Sequence, residues 1–267
     1  MIYVLTALQA EAKPLIRRWN LKKEEGRLQV FSNERIRLAV TGTGPLSASA
    51  LTGALLASHP IQPQDFLINA GICAGPEEEP RGTVFLIHKL TDTMTGRDYY
   101  PDLIHTALNK EACLKTGPSV YTGTISSGTL YDMEGAAIFH AGSLFLSPHQ
   151  MRFLKVISDH GNSFPSPEEV TSLMEGILPV LEEELQAMEQ QCPGEAPVLS
   201  EEEIPWADFR ASVTMKRQLH QLLLYCELSG TDWWEIMEQY RREGKLPCRT
   251  REEGKFLMEE LRHALAG

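Results

Sequence analysis

The chain has 267 residues, 42% of them hydrophobic and 23% charged, with 20 glycines and 16 prolines. That composition fits a globular protein with a sizeable core and excludes a disordered, collagenous or wholly coiled-coil chain. The net charge of −11 disfavours nucleic acid as the main ligand, because phosphate binding needs a basic surface.

The first residues, Met1–Leu8, are apolar, but no basic segment precedes them and Glu11 and Lys13 follow at once. The run predicts a buried first strand over Ile2–Ala7, followed by a helix over Glu11–Trp19. Arg27–Phe31 and Arg35–Val40 read as a strand pair with Asn33 near the turn. Thr41–Pro45 is a glycine-rich turn, and a helix of small residues runs from about Leu46 to Ser58. Asp65–Asn69 is a strand closing on Ala70–Gly75. Thr83–His88 is another strand, and Ser119–Ile125 is read as a further one. Met133–Ser143 is a small-residue helix, and Phe153–Ser158 is a strand ending at Asp159. Ser166, Pro167 and Glu169 supply an N-cap, a first-turn proline and an acid at the third position, predicting a helix to about Gln190 with a bend at Pro179.

Strands alternating with helices predict an α/β domain over residues 1–190, with ligands bound beyond the strand ends. Residues 191–197 read as a linker. Residues 198–267 read as a helical extension, with helices over Met215–Leu228, Trp233–Arg241 and Glu252–Ala264. Residues 191–267 hold 14 acidic and 10 basic residues, so this tail is no basic arm. Its tryptophans, Trp206, Trp233 and Trp234, either pack on a core or present a partner-binding surface. No stretch approaches the ~20 apolar residues of a membrane helix. The five cysteines are odd in number and lack a C-x-x-C pair, which predicts reduced thiols, no structural metal and a cytoplasmic setting. Cys73 reads as a small buried residue, with a reactive thiol as the alternative.

Four acids stand where chemistry could lie. Glu11 follows the first strand, where by itself it reads either as a site residue or as an exposed helix-start residue. Asp132 and Glu134 open a small-residue helix, where Asp132 suits capping and Glu134 suits the vicinal diol of a ribose. Asp159 ends a buried strand, where a carboxyl can act as a general acid or simply cap the next turn. Gly42, Thr43 and Gly44 can present backbone N–H groups to a ligand, or form a plain turn. His160 is either a second acid–base group or structural, and Arg97 and Asp98 either line a pocket or sit in an exposed loop.

In order, the segments Ala7–Glu11, Gly42–Gly44, Asn69–Gly75, Arg81–Val84, Asp132–Ala137 and Phe153–Asp159 resemble the nucleoside phosphorylase/nucleosidase superfamily, above all its 5′-methylthioadenosine/S-adenosylhomocysteine nucleosidase branch. Gly44-Pro45 and Met133-Glu134-Gly135 are also similar to the futalosine hydrolases. The resemblance implies a three-layer αβα phosphorylase/hydrolase-like fold with a central mixed sheet. It implies an N-ribosyl hydrolase that cleaves a purine nucleoside or thionucleoside. Glu11 would activate the attacking water, and Asp159 would protonate the leaving purine. Glu134 would hold the ribose hydroxyls, Met133 would pack on the sugar, and Ser158 would orient Asp159. Gly44, Gly71 and Lys155 complete the substrate-binding set. No metal or cofactor is implied, and a homodimer or higher homo-oligomer is expected, with no nucleic acid or membrane partner.

Asn69 stands where phosphorylases of this superfamily place a phosphate-binding arginine, which favours water over phosphate. Lys155 replaces an arginine, and His160-Gly161-Asn162 replaces the usual continuation after the acid. The stretch from Thr83 to Asp132 is shorter than the superfamily pattern, and Tyr99, Tyr100 or Tyr131 is the candidate for its base-stacking aromatic. Two other readings therefore accompany the hydrolase: a phosphate-dependent phosphorylase, and a nucleoside-binding or interaction protein with little or no activity.

Overall fold

The structure, a computed structural model, describes residues 1–190, 204–229 and 231–266. The chain divides into two compact units, Met1–Gln191 and Cys192–Gly267. The segment 191–197, read as a linker, lies outside the described residues.

In the first unit the apolar run at the start becomes β1 (Ile2–Thr6), buried at every position. A strand buried on both faces needs parallel neighbours covered by helices. β1 accordingly runs parallel to β4 (Ile36–Val40) on one side and β5 (Phe66–Ala74) on the other. The remaining strands are β2 (Lys22–Lys23), β3 (Val30–Ser32), β6 (Val84–Asp92), β7 (Arg97–Tyr99), β8 (Glu111–Thr116), β9 (Thr129–Asp132) and β10 (Met151–Asp159). Among the described residues they form one mixed sheet of order β10-β6-β8-β9-β5-β1-β4-β3-β2, with β7 beside β6. β10 also pairs in parallel with β5, so β5, β10, β6, β8 and β9 close into a ring. The helices are α1 (Gln9–Arg18), α2 (Pro45–Ala57), α3 (Gly135–Gly142), α4 (Pro167–Gly176) and α5 (Leu178–Gln190). α1 packs on α4 and α2 on α3, giving the expected αβα layers.

Two stretches depart from expectation. Between Thr83 and Asp132 the sheet gains β7, β8 and β9, whereas Ser119–Ile125 is a loop. β8 alternates inward Ala112, Leu114 and Thr116 with outward Glu111, Cys113 and Lys115, and its charges dilute the apolar signal. The 119–125 segment has β-formers, but Gly123 at φ +150° breaks it. The second departure is the long helix, which divides into α4 and α5 at Ile177. Pro179 has no N–H to continue the helical ladder, so the bend becomes a break. The start of α4 is as expected: Ser166 accepts from the Glu169 N–H at 3.2 Å, and Glu169 accepts from the Ser166 N–H at 2.7 Å.

β10 carries two charged residues through the core. Arg152 pairs with Glu184 of α5 at 2.9 Å, both side chains fully buried. Glu184 also accepts from the N–H groups of Ala107 and Leu108, and Arg152 donates to the Ile104 carbonyl. The pair thus ties α5 and the 104–108 loop to the sheet.

The second unit contains α6 (Val213–Ser229), α7 (Trp233–Arg242) and α8 (Arg251–Ala266). Its own core includes Phe209, Leu219, Leu223, Trp233, Met237 and Leu261. Asp232 caps α7 by accepting from the N–H groups of Trp234 and Glu235. Gly254 lets α8 approach closely, since a Cβ there would meet the Phe209 carbonyl oxygen at 2.0 Å. Of the three tryptophans, Trp233 is buried, Trp206 packs at the edge of this core and Trp234 is exposed. No described helix is long and apolar enough to cross a membrane.

Removing one partner of a buried pair strands the other charge. Glu184→Gln is expected to lower unfolding stability by about 3–5 kcal/mol, and Arg152→Met/Glu184→Met by less. Urea melts that place the single variant level with the wild type would contradict this account of α5.

Candidate active site

A cavity of about 280 Å³ opens where β1, β5, β9 and β10 end. This lies just below the range of about 300–1,000 Å³ usual for small-molecule sites. Its polar wall holds Glu11, Asp132, Glu134, Ser158 and Asp159, and its apolar wall includes Leu8, Met133, Tyr121, Tyr131 and Phe164. None of the residues that line it carries a positive side chain.

Glu11 is buried at the start of α1, and its carboxylate folds back onto the turn that precedes it. Oε2 accepts from the N–H groups of Ala7 at 2.7 Å and Leu8 at 2.9 Å. Oε1 accepts from the Ile72 N–H of β5 at 2.8 Å. A carboxylate offers about four acceptor positions, so these bonds leave capacity for one more donor from the cavity. Burial raises the Glu11 pKa, opposed by these backbone donors and by Lys155. Gly71 makes room for the carboxylate, because a Cβ there would lie 2.7 Å from Glu11 Oε1.

Glu134 sits at the N-cap position of α3, but its side chain turns from the helix and its Oε1 accepts from the Gly44 N–H at 2.7 Å. Gly44 can present that N–H because its φ of +93° suits glycine. Burial first, and then the Asp132 carboxylate, push the Glu134 pKa up to about 7. Asp132 accepts from Thr116 Oγ1 at 2.6 Å and from the Gly135 N–H at 2.8 Å.

Asp159 and Ser158 both line the cavity although they are consecutive. A regular strand would send them to opposite faces. The register between β10 and β5 slips between Ile157 and Asp159, and this bulge turns both inward. Asp159 Oδ1 accepts from the Gly161 N–H at 2.8 Å. Ser158 Oγ lies 2.8 Å from Asp159 Oδ2 and 3.2 Å from the Cys73 carbonyl oxygen. The hydroxyl has one proton and two acceptors. With Asp159 ionised, Ser158 donates to it. With Asp159 protonated, the carboxyl donates to Ser158, which donates to Cys73. The site therefore accommodates either state without moving an atom heavier than hydrogen.

Several expected residues stand elsewhere. Lys155 does not line the cavity, contrary to its expected place among the substrate-binding residues. It is buried behind the wall, with Nζ 2.8 Å from Asp132 Oδ2. Gly44 and Gly71 likewise act behind the lining, through Glu134 and Glu11. His160 turns away, with Nδ1 3.1 Å from the Gly75 carbonyl oxygen. Asp98 pairs with Lys89 and Thr91, and neither it nor Arg97 reaches the cavity. Tyr99 packs on Phe139, with ring centroids 5.2 Å apart, and Tyr100 is exposed. Tyr131 does line the cavity, stacked at 3.9 Å on Tyr121. Sequence reasoning missed Tyr121, because its neighbours read as a strand. Gly123 was the signal for a loop there. Cys73 is buried, and burial raises its thiol pKa.

No protein-family model matches the chain, and no curated protein matches it by sequence. Solved structures share the fold. The apo 5′-methylthioadenosine nucleosidase of Arabidopsis thaliana superposes with a TM-score of 0.58 at 22% identity, over 70% of this chain and 95% of that one. The 5′-methylthioadenosine/S-adenosylhomocysteine nucleosidase of S. pneumoniae gives 0.55 at 20% identity, over 70% and 99%. The futalosine hydrolase of Helicobacter pylori gives 0.53 at 15% identity, over 69% and 97%. The likeness establishes the nucleosidase fold.

The Glu134 carboxyl binds a proton more tightly folded than unfolded. Its contribution to stability is therefore complete below about pH 4.5 and is lost as pH rises through about 7. Glu134→Gln should flatten that loss and stabilise the protein at pH 8 by on the order of 1–3 kcal/mol. Thermal melts from pH 4 to 8 test this, and a variant that tracks the wild type throughout would contradict it.

Proposed function

We propose that this protein is an N-ribosyl hydrolase acting on a purine nucleoside or thionucleoside. The observation that carries the proposal is the convergence of Glu11, Glu134 and Asp159 on a cavity with no positive side chain in its lining. Cleaving an N-glycosidic bond requires three things at once: a nucleophile below C1′, a hold on the ribose, and a proton for the departing base.

In this reading Glu11 accepts a proton from a water that attacks C1′. Its backbone donors fix its position, and its burial makes it a stronger base than an ordinary carboxylate. Glu134, fixed by Gly44, accepts from the ribose hydroxyls, with Met133 against the sugar. Asp159 gives its proton to the purine, and the Ser158 hydroxyl reorients as the charge appears. The Tyr121–Tyr131 stack supplies an aromatic wall. The chemistry needs no metal or cofactor.

An acidic cavity repels phosphate, both as a nucleophile and as a 5′ substituent. Asn69 adds to this, since it donates to the Leu5 carbonyl oxygen from within the sheet and carries no charge. Water is therefore the favoured nucleophile over phosphate. The neighbouring fold supports the class of reaction: the printed descriptions of those structures name methylthioadenosine nucleosidases and a futalosine hydrolase. A homodimer or larger homo-oligomer belongs to the same proposal. Exposed Leu46 and Leu144 offer apolar surface of the kind an interface covers.

The test is base release from methylthioadenosine, S-adenosylhomocysteine, adenosine, inosine and futalosine, followed by chromatography. Turnover of one of them without phosphate is expected. Glu11→Gln should slow it at least about 100-fold with ligand binding retained, and Asp159→Asn should do likewise. A Glu11→Gln variant with full turnover would remove Glu11 from the mechanism.

A further inference from the structure

A second ordered group of side chains lies away from the cavity, on β6 and β8. Cys113 Sγ is 3.4 Å from His88 Nε2. The other ring nitrogen of His88, Nδ1, is 3.3 Å from Glu111 Oε2. No hydrogen bond joins the two, since Nδ1 is buried without a hydrogen-bond partner, and Glu111 stands beside the ring as a nearby negative charge. A nucleophile within reach of a base, with the base backed by an acid, is the arrangement that activates side chains for covalent chemistry.

The fold explains how the three meet. The β6–β8 register slips between Ile87 and Lys89, so His88 is an extra residue on its strand. Such a bulge re-aims a side chain. Strand alternation puts Glu111 and Cys113 on the outward face of β8, opposite the buried Ala112 and Leu114. Lys89, which pairs with Cys113 in the ladder, is neutralised by Asp98 at 2.8 Å. Lys115, two residues on, has its ammonium 5.6 Å from the Tyr131 ring. Access distinguishes Cys113 among the described cysteines. The side chains of His88 and Glu111 are 43% and 44% exposed, and Cys113 is half-buried. Cys73, Cys226 and Cys248 are buried.

We propose that Cys113 is a covalent modification site, a thiol primed by His88 to exchange with small-molecule disulfides. In the step, His88 Nε2 takes the Sγ proton as the sulfur attacks one sulfur of the disulfide. A new S–S bond joins Cys113 to one half. The old S–S bond breaks, and its electron pair leaves with the other half, which takes the proton from the imidazolium as a free thiol. One thiol and one disulfide give one mixed disulfide and one thiol, with no other oxidant. Glu111 steadies the imidazolium while it carries charge.

The experiment exposes the full-length protein to glutathione disulfide at pH 7 and maps adducts by peptide mass spectrometry. The peptide bearing Cys113 should acquire the adduct first, ahead of Cys73, Cys226 and Cys248, and dithiothreitol should remove it. His88→Gln should slow the reaction at least ~10-fold, a modest share of what a positioned base supplies. Glu111→Gln should slow it less. Should His88→Gln fail to fold, the wild-type rate at Cys113 is compared with that of a free peptide spanning residues 109–117. A faster rate in the protein supports the proposal. An equal or slower one overturns it, as does a His88→Gln variant that reacts as fast as the wild type.

Discussion

Lys155 is a buried ammonium in the middle of β10, and the charge balance of the cavity depends on it. Burial penalises its charge, but Asp132, Glu134 and Glu11 together outweigh that penalty and raise its pKa. The ammonium acts back on the acids, lowering the pKa of Glu11 and Glu134 against the upward push of burial. Without it, three carboxylates would converge in a water-poor site and take up protons to relieve their repulsion. A lysine suits this duty. It is a compact point charge with three donors, whereas an arginine offers a planar fork suited to paired oxygens. Its direct bond to Asp132 also fixes the acid that receives the Gly135 N–H at the head of α3. Charge balance and helix placement are thus one interaction.

The acids reach the cavity because strands end together there. β1, β5 and β10 run parallel and side by side, so their C-terminal ends open on one side of the sheet. Glu11 follows the first of them, Ile72 and Gly71 lie near the end of the second, and Asp159 terminates the third. β9 brings Asp132 from an antiparallel partnership with β5. Close approach is then a matter of atoms removed. Gly71 lacks the Cβ that would strike Glu11. Gly135 lacks one that would lie 2.6 Å from Leu114 and 3.0 Å from Asp132. The glycines thus serve packing more than ligand contact.

Much of this was legible in the residues. The buried strands β1 and β10 read as apolar runs, the capped start of α4 read from Ser166 to Glu169, and the three principal acids stood at element boundaries. What the sequence concealed was direction. Lys155 looked like a ligand for substrate, yet the alternation of β10 turns it behind the wall. Ser158 and Asp159 share a face only through a bulge that no local residue pattern announces. The 83–132 region was least readable, because β7, β8 and β9 are short and half-exposed and owe their form to partners distant in the chain. Tyr99 and Tyr121 exchanged roles for the same reason: one packs on Phe139, and the other, on a loop that resembled a strand, reaches the cavity.

The central claim is that water, activated at Glu11, attacks C1′ of a ribosyl group. Isotope transfer tests it most directly. A cleaved nucleoside would be turned over in oxygen-18 water with phosphate present, and the sugar product weighed by mass spectrometry before exchange at the anomeric carbon. The account predicts free sugar that carries one oxygen-18 at C1′. A sugar 1-phosphate without the label would contradict it, and would require an anion site that this acidic cavity does not offer.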